Sequence, residues 1–133
     1  MPAKIFIDTN IVIYSLGAQS EKTERAAMLF VNQPTISTQV LSEAANVALK
    51  KLAMPITDVR KLLTTLESLC RVETITSTSL NRAVDIAEKY GFSWYDSLIV
   101  ASAIQANCDT LYTEDLQHGQ LIDNKLTIFN PFS

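Results

Sequence analysis

A short apolar segment that ends in an acidic residue constrains the fold of this 133-residue chain more than any other feature. The consecutive apolar residues of Ile5–Ile7 are typical of a strand buried on both faces, as in a parallel sheet covered by helices. Residues 8–10 read Asp-Thr-Asn, and these residue types favour turns and helix caps. We therefore expect Asp8 at the carboxyl end of the first strand, the edge at which open α/β sheets bind ligands.

Apolar segments with two periodicities alternate along the rest of the chain, which predicts strands separated by helices. Strands are predicted at residues 5–7, 35–38, 72–75, 110–113 and 126–129. Helices are predicted at residues 11–16, 21–31, 39–52, 57–69, 79–90 and 93–107, with Ser20, Thr57 and Ser93 at helix starts and Gly91 at a helix end. This order implies an α/β fold with three layers, α/β/α, around a central parallel sheet of four to five strands. Because no repeat or linker interrupts it, a single domain over residues 1–133 is expected.

The charge and composition of the chain argue against some functional classes. A net charge of −3 and a pI of about 5.0 disfavour a protein that binds nucleic acid through a broad basic surface. A nuclease stays possible, because bound cations can supply positive charge where a phosphate must lie. The amino-terminal residues do not fit a signal peptide, and no apolar stretch is long enough to cross a bilayer. Cys70 and Cys108 match neither a zinc site nor a disulfide framework, so a cytoplasmic location is expected.

Four acidic residues lie at or after predicted strand ends, and each also has a purely structural interpretation. Asp8 and Asp115 follow strands closely, and both are equally typical of turns or helix caps. Glu43 lies on the same face of a predicted helix as apolar residues. Its structural interpretation is an acid at the edge of that face, with its carboxylate in solvent. Asp96 stands three residues after Ser93, which fits a capping box. It also shares a face with apolar neighbours at the start of the most apolar helix, where the helix dipole favours an acid.

Taken together, the four acids indicate a metal site. If they converge, repulsion within one pair about 5 Å apart costs about 3 kcal/mol at an effective dielectric of roughly 20. Protons or cations must therefore neutralise the cluster, and Mg²⁺ or Mn²⁺ are hard ions that prefer oxygen ligands. Ions held in such a cup can activate water for phosphodiester cleavage.

Other catalytic arrangements fit the residues less well. The single histidine, His118, lies in a polar segment, and we expect it at the surface. A Ser/His/Asp or Cys/His set is therefore not indicated, and no glycine-rich loop that could hold a phosphate is present.

Five segments of the chain resemble, in the same order, the PIN-domain ribonucleases. They are Ile5-Phe6-Ile7-Asp8-Thr9-Asn10, Glu43, residues 96–103, residues 111–116 and the closing Asn130-Pro131-Phe132. The likeness spans nearly the whole chain, and in particular the chain is similar to the VapC toxins of bacterial and archaeal toxin–antitoxin pairs. This resemblance implies a sheet with helices on both sides, an acidic cup that binds Mg²⁺ or Mn²⁺, and endonucleolytic cleavage of RNA, commonly tRNA or ribosomal RNA.

The same resemblance implies a role for each acid of these segments. By position, Asp8 and Asp96 match direct metal ligands, and Asp115 matches an assisting ligand. Glu43 matches an acid that acts through bound water. The family likeness also implies a homodimer, and inhibition by a small antitoxin whose carboxyl-terminal segment enters the acidic groove.

Further polar and basic residues have weaker assignments. Asn10 and Thr113 match supporting polar positions of the family. Four basic residues either flank the site and hold phosphates or form a solvated helix face: Lys50, Lys51, Arg60 and Lys61.

Two other functions stay open beside a metal-dependent endoribonuclease. A metal-dependent α/β phosphatase would use Asp8 as an aspartyl nucleophile, although residue 10 is Asn and not the second acid that such enzymes usually carry. A non-catalytic member that only binds RNA or a protein partner is the other alternative, and the intact set of acids argues against it.

Overall fold

A computed structural model describes residues 4–17 and 21–133 of the chain. Ser20, a predicted helix start, lies outside the described residues. Within those ranges the strands are β1 (Ile5–Ile7), β2 (Thr35–Ser37), β3 (Arg71–Glu73), β4 (Thr110–Tyr112), β5 (Leu121–Ile122) and β6 (Leu126–Phe129). The helices are α1 (Thr9–Leu16), α2 (Glu21–Met28), α3 (Thr38–Lys50), α4 (Ile56–Leu69), α5 (Ser77–Tyr90) and α6 (Trp94–Gln105).

The strands form one sheet in the order β3-β2-β1-β4-β6-β5. All neighbouring pairs are parallel except β5 with β6. Helices connect β1 to β2, β2 to β3 and β3 to β4, so a sheet with five parallel strands flanked by helices confirms the predicted α/β class. The strand order reverses beside β1, with β2 and β3 on one side and β4 and β6 on the other. Such a switch point is where open α/β sheets bind ligands.

Helix starts gather at the carboxyl edge of this sheet. α1 begins directly after Asp8, which follows β1, and α3 begins directly after β2. α6 ends at Gln105, shortly before β4 begins at Thr110, so its first turn lies at the opposite, carboxyl edge. The fold thereby brings three helix amino termini, which are favourable positions for acidic side chains, to one edge.

The core surrounds β1, β4 and α6. Phe6, Ile7 and Leu111 are fully buried, in agreement with the unbroken apolar strands of the prediction. α6 is buried on nearly every face, including Ser97 and Ser102, as its apolar sequence favours. No helix within the described ranges combines the length and the apolar composition of a membrane span.

Several predicted helix starts differ from the structure by one or two residues, and capping explains the difference for α4 and α5. α4 begins at Ile56 with Pro55 at its N-cap and no side-chain cap, so the predicted Thr57 cap is wrong. Proline suits a helix start because its φ is already helical and it has no N–H to leave unpaired. α5 begins at Ser77 and not at the predicted Ser79. Thr76 is its N-cap and forms a capping box with Ser79, which is therefore the third residue of the helix.

β5 is a short edge strand that the sequence pattern does not predict. Asp123 and Asn124 take φ values of 50° and 56° and join β5 to β6 in a tight antiparallel hairpin. Lys125 N donates to Ile122 O across this turn at 2.9 Å. A two-residue strand is too short to show an alternating pattern, so only the turn residues carry a signal.

Gly91 ends α5 in the left-handed conformation, with φ 73° and its N–H bonded to Ala87 O. Because a side chain is strained at this φ, we expect Gly91→Ala to lower the free energy of unfolding by about 1 kcal/mol in urea titrations. Gly17→Ala is the matched control, since Gly17 has φ −78° and room for a Cβ. Equal losses in the two variants would contradict this account of the C-cap.

Candidate functional site

Three hydrogen bonds, one from its N–H and two to its carboxylate, fix Asp8 at the end of β1. Its N–H donates to Tyr112 O at 3.1 Å, which extends the pairing of β1 with β4 by one residue. Its carboxylate accepts from Thr9 N at 2.6 Å through Oδ1 and from Thr113 Oγ1 at 2.8 Å through Oδ2. Asp8 is thus the N-cap of α1 and, at the same time, a buried acid at the sheet edge.

Asp96 and Asp115 converge on Asp8 from two other elements. One carboxylate oxygen from each of the three residues lies within 4.8 Å of the others. Asp96 stands in the first turn of α6, where its N–H donates to the N-cap Ser93 Oγ at 3.2 Å. The reciprocal bond of a capping box, from Ser93 N to the Asp96 carboxylate, is absent from the described structure, so the carboxylate is directed to the cluster.

The loop after β4 positions Asp115 through two uncharged side chains. Its N–H donates to Thr113 Oγ1 at 3.1 Å, and its Oδ2 accepts from Asn10 Nδ2 at 3.2 Å. Thr113 is buried and also holds Asp8, so one hydroxyl links two of the three acids. Asp115 lies in a bend and no helix follows it, which removes the helix-cap alternative for this residue.

Glu43 enters the same cleft from α3 but stands outside the group of three aspartates. Its Oε1 accepts from Thr9 Oγ1 at 3.0 Å and from Gln39 Nε2 at 3.1 Å. Gln39 Nε2 also lies 3.4 Å from Tyr95 O, which ties α3 to the start of α6. We call this space of about 130 Å³, walled by Asp8, Glu43, Asp96 and Asp115, the acid cleft.

The lining of the acid cleft contains no Lys or Arg. The four basic residues considered as phosphate-binding flanks are all exposed, and none of them lines the cleft: Lys50, Lys51, Arg60 and Lys61. Both interpretations, a flank that holds phosphates and a solvated helix face, stay predictions for these residues. The lining thus has no positive charge of its own to offset these acids, and a bound cation would supply it.

Two of the aspartates are harder to ionise than usual. The pKa of Asp8 is raised to about 6, mainly by burial and to a smaller extent by the charges of Asp115 and Asp96, while the Thr113 and Thr9 hydrogen bonds oppose this rise. The pKa of Asp115 is also raised, first by partial burial and then by the charges of Asp96 and Glu114. A cation among these carboxylates would stabilise their charged forms and relieve this cost.

A comparison with protein families decides the identity of the fold. Residues 5–121 match the model of the family described as PIN domain. The chain belongs to the PIN domain family. This finding confirms the resemblance on which the sequence analysis relied. Among curated protein sequences, none matches this PIN domain.

Solved structures similar to this PIN domain come from toxin–antitoxin systems. A toxin–antitoxin complex from Klebsiella pneumoniae has a TM-score of 0.73 and 20% identity, covering 97% of this chain and 98% of that chain. VapC20 of Mycobacterium tuberculosis, described as a toxin that cleaves the sarcin–ricin loop, has a TM-score of 0.65 and 17% identity over 84% and 92% of the two chains. VapBC2 of Rickettsia felis, bound to a promoter DNA fragment, has a TM-score of 0.66 and 20% identity over 95% and 98%. At these identities the likeness shows a shared fold.

The donor set of this PIN domain fits a hard divalent cation. Asp8, Asp96 and Asp115 offer only carboxylate oxygens, the ligand type that Mg²⁺ and Mn²⁺ prefer. The described hydrogen bonds to these carboxylates come from uncharged donors and backbone N–H groups, which orient the oxygens without neutralising them. Burial raises the pKa of Asp8, and the lining of the cleft has no Lys or Arg to offset its charge.

Two positioning residues of the PIN domain carry too weak a signal to be found in the sequence. Thr9 is buried and bonds Glu43, yet it looks like an ordinary turn residue beside Asp8. Gln39 stands one helical turn before Glu43, and this i, i+4 spacing is the one local signal that could have found it.

The residues that the sequence analysis set aside lie outside the acid cleft. His118 is exposed, and its Nδ1 accepts from Asn130 N at 3.0 Å. Cys70 and Cys108 are free and buried. His118 therefore serves the carboxyl-terminal segment and not the cluster of acids.

Asp8→Asn should stabilise the metal-free protein at neutral pH. Because the pKa of Asp8 is raised in the folded state from 3.8 to about 6, the folded form retains this proton between those values and wild-type stability falls as pH rises through that range. The asparagine removes this loss. The difference in free energy of unfolding should be near zero at about pH 4 and reach up to about 3 kcal/mol above pH 6.

Urea unfolding in EDTA across this pH range measures the difference. Asp58→Asn is the matched control, because Asp58 is an exposed acid on α4 that does not line the acid cleft. A variant at position 8 that is destabilised at pH 7, or a difference that does not change with pH, would contradict the assigned environment of Asp8.

Thr113→Val should raise the pKa of Asp8 above about 6, because the Thr113 hydrogen bond favours the ionised carboxylate. Thr113→Ser keeps the hydroxyl and should retain the wild-type pKa. Carboxyl carbon chemical shifts in a pH titration by NMR report the value for Asp8 directly. An unchanged pKa in the valine variant would show that Thr113 does not control this acid.

Proposed function

We propose that this PIN domain is a divalent-metal-dependent endoribonuclease, the toxin of a toxin–antitoxin pair, acting as one domain over residues 1–133. The observation that carries the proposal is the convergence of Asp8, Asp96 and Asp115 within 4.8 Å of one another at the sheet edge of a PIN fold. Mg²⁺ or Mn²⁺ would be held by these three residues. Cleavage of an RNA phosphodiester is the chemistry that such a cation, in a cleft without Lys or Arg, supports best.

The side chains of the acid cleft divide the work of the proposed reaction. A bound cation would stabilise charge on the scissile phosphate and lower the pKa of an attacking water. Glu43, held by Thr9 and Gln39, faces the cleft beside the aspartates and would accept a hydrogen bond from that water. Thr113 keeps the carboxylates of Asp8 and the backbone of Asp115 in a fixed relation, so little reorganisation is needed during the reaction.

The toxin assignment and the partners rest on the similar structures. The Klebsiella structure is described as a toxin–antitoxin complex, the Rickettsia structure as VapBC2 bound to promoter DNA, and VapC20 as a toxin that cleaves the sarcin–ricin loop. By analogy we propose a structured cellular RNA, tRNA or ribosomal RNA, as substrate, a small antitoxin protein as inhibitor, a homodimer as the active form, and a cytoplasmic location. The substrate, the partners and the toxin role rest on similarity of fold alone, so they need a different test from the one for RNA cleavage.

The phosphatase alternative is weakened by the surroundings of Asp8. Phosphatases that use an aspartyl nucleophile usually carry a second acid two residues later, whereas residue 10 is Asn and donates a hydrogen bond to Asp115 Oδ2. The alternative of a purely binding protein has no such structural objection, and a cleavage assay separates it from the nuclease.

Purified wild-type protein should cleave single-stranded RNA when Mg²⁺ or Mn²⁺ is added and should stop when EDTA is added. Asp8→Asn and Asp96→Asn should each lower the cleavage rate by more than about 100-fold, because loss of a metal ligand removes several kcal/mol of transition-state stabilisation. Circular dichroism should show an intact fold in both variants. Gel analysis of end-labelled RNA at matched metal concentration gives the rates.

Asp58→Asn provides the control for this experiment, since it removes an exposed carboxylate that lies outside the acid cleft. Equal cleavage by wild type and by both cleft variants would refute the nuclease assignment. Cleavage that persists in EDTA would refute its dependence on metal. Co-expression with the product of the adjacent gene, followed by loss of toxicity, tests the toxin assignment independently.

A further inference from the structure

We infer that a second cleft, beside the acid cleft, binds one unpaired nucleobase of the RNA, with Tyr95 as its stacking surface. The inference rests on the proposed nuclease function and identifies an unpaired base as a part of the RNA that the protein binds. The second cleft, which we call the side cleft, has a volume of about 480 Å³. It is lined by Gln39, Ser42, Glu43, Asn46, Val47 and Tyr95.

The two clefts are adjacent and share four lining residues. Gln39, Glu43, Val47 and Tyr95 line both of them, so a ligand in the side cleft lies directly against the wall of the acid cleft. A nucleotide whose phosphate enters the acid cleft must place its base or a neighbouring base nearby. The side cleft is the adjoining space that offers room for it.

One stripe of α3 forms the floor of the side cleft. Its members follow the i, i+3, i+4, i+7, i+8 spacing of a single helix face: residues 39, 42, 43, 46 and 47. Ser42 and Asn46 are exposed on this stripe, and within the described ranges neither side chain has a hydrogen-bond partner. A hydroxyl and an amide offer both donors and acceptors, which suit the edge of a base.

Tyr95 supplies an aromatic surface at the junction of the clefts. Tyr95 is 64% exposed and stands beside the 42%-exposed Trp94 in the first turn of α6, whose residues 97–104 are buried. Gln39 Nε2 lies 3.4 Å from Tyr95 O, which holds this turn against α3. Exposed aromatic side chains on a fixed backbone are the platforms on which single-stranded nucleic acids stack their bases.

The charge of the clefts favours an unpaired base over a duplex. Neither lining contains Lys or Arg, and the chain has a net charge of −3. Binding through many phosphates, as duplex recognition requires, is therefore disfavoured. Stacking on a base and hydrogen bonds to its edge do not require a positively charged surface. They can therefore supply affinity for RNA although the acid cleft repels its phosphate backbone.

The test measures RNA binding in the Asp8→Asn background, where cleavage does not interfere. The probes are single-stranded RNA 12-mers of a sequence that wild type cleaves, or of random sequence if it cleaves none, with one abasic nucleotide placed at each position in turn. Tyr95→Ala should weaken binding of the intact 12-mer by about 5- to 100-fold, the range of one stacking contact. Tyr95→Phe keeps the ring and should bind nearly as tightly as Tyr95.

One abasic position should weaken binding to the same extent as Tyr95→Ala, and the two changes together should add little, because each removes the same contact. Ile56→Ala is the control, since Ile56 has the same exposed fraction of 64% and lines neither cleft. Unchanged affinity of Tyr95→Ala, or losses that multiply at every abasic position, would overturn the inference.

The design separates this inference from the proposed function. If wild type cleaves RNA and Asp8→Asn does not, while Tyr95→Ala binds and cleaves like wild type, the base site is refuted and the nuclease stands. If no RNA is cleaved but the abasic pattern depends on Tyr95, the base site is supported and the nuclease is refuted. If Tyr95→Ala leaves RNA affinity unchanged but weakens binding of a protein partner, the surface belongs to that partner and the inference is overturned.

Discussion

Repulsion among carboxylates at one sheet edge is the constraint on which the rest of this structure depends. The parallel order of the sheet delivers Asp8, Asp96 and Asp115 to that edge from three separate elements. Burial then makes ionisation costly, as the raised pKa values of Asp8 and Asp115 show. The lining of the acid cleft contains no Lys or Arg, so no ion pair there offsets this cost.

The protein instead orients its acids with donors that carry no charge. Within the described residues, Asp8 and Asp115 are held by threonine and asparagine side chains and by backbone N–H groups. Glu114, the neighbour of Asp115, shows the contrast, because Lys22 lies 3.2 Å from its Oε2 and Tyr14 also donates to it. Glu114 thus has a cationic partner, whereas Asp115 has no ion-pair partner among the described residues, which is the arrangement that a cation site needs.

α3 contributes side chains to both the acid cleft and the proposed base-binding side cleft. Glu43 projects from this helix into the acid cleft, while Ser42 and Asn46 face the side cleft on the same stripe. Gln39 contacts both Glu43 and the backbone of Tyr95. A single rigid element can thus set the distance between the reacting phosphate and a bound base.

The sequence predicts those parts of the structure that follow from local pattern. The unbroken apolar segment before Asp8 and the apolar helix after Ser93 predict both the buried elements and the edge at which their acids lie. Local pattern cannot predict contacts made across the fold, such as the bonds of Thr9 to Glu43 and of Thr113 to Asp8. For the same reason it left open two interpretations of Lys50, Lys51, Arg60 and Lys61, and the tertiary structure shows that none of them lines the acid cleft.

Cation binding at the sheet edge is the central claim, and paramagnetic NMR tests it most directly. In a titration of the labelled protein with Mn²⁺, the backbone amide signals of Asp8, Asp96 and Asp115 should broaden first and saturably, and excess Mg²⁺ should restore them. Broadening spread over exposed acids elsewhere, such as Asp58 and Asp85, with these three signals unaffected, would contradict the account.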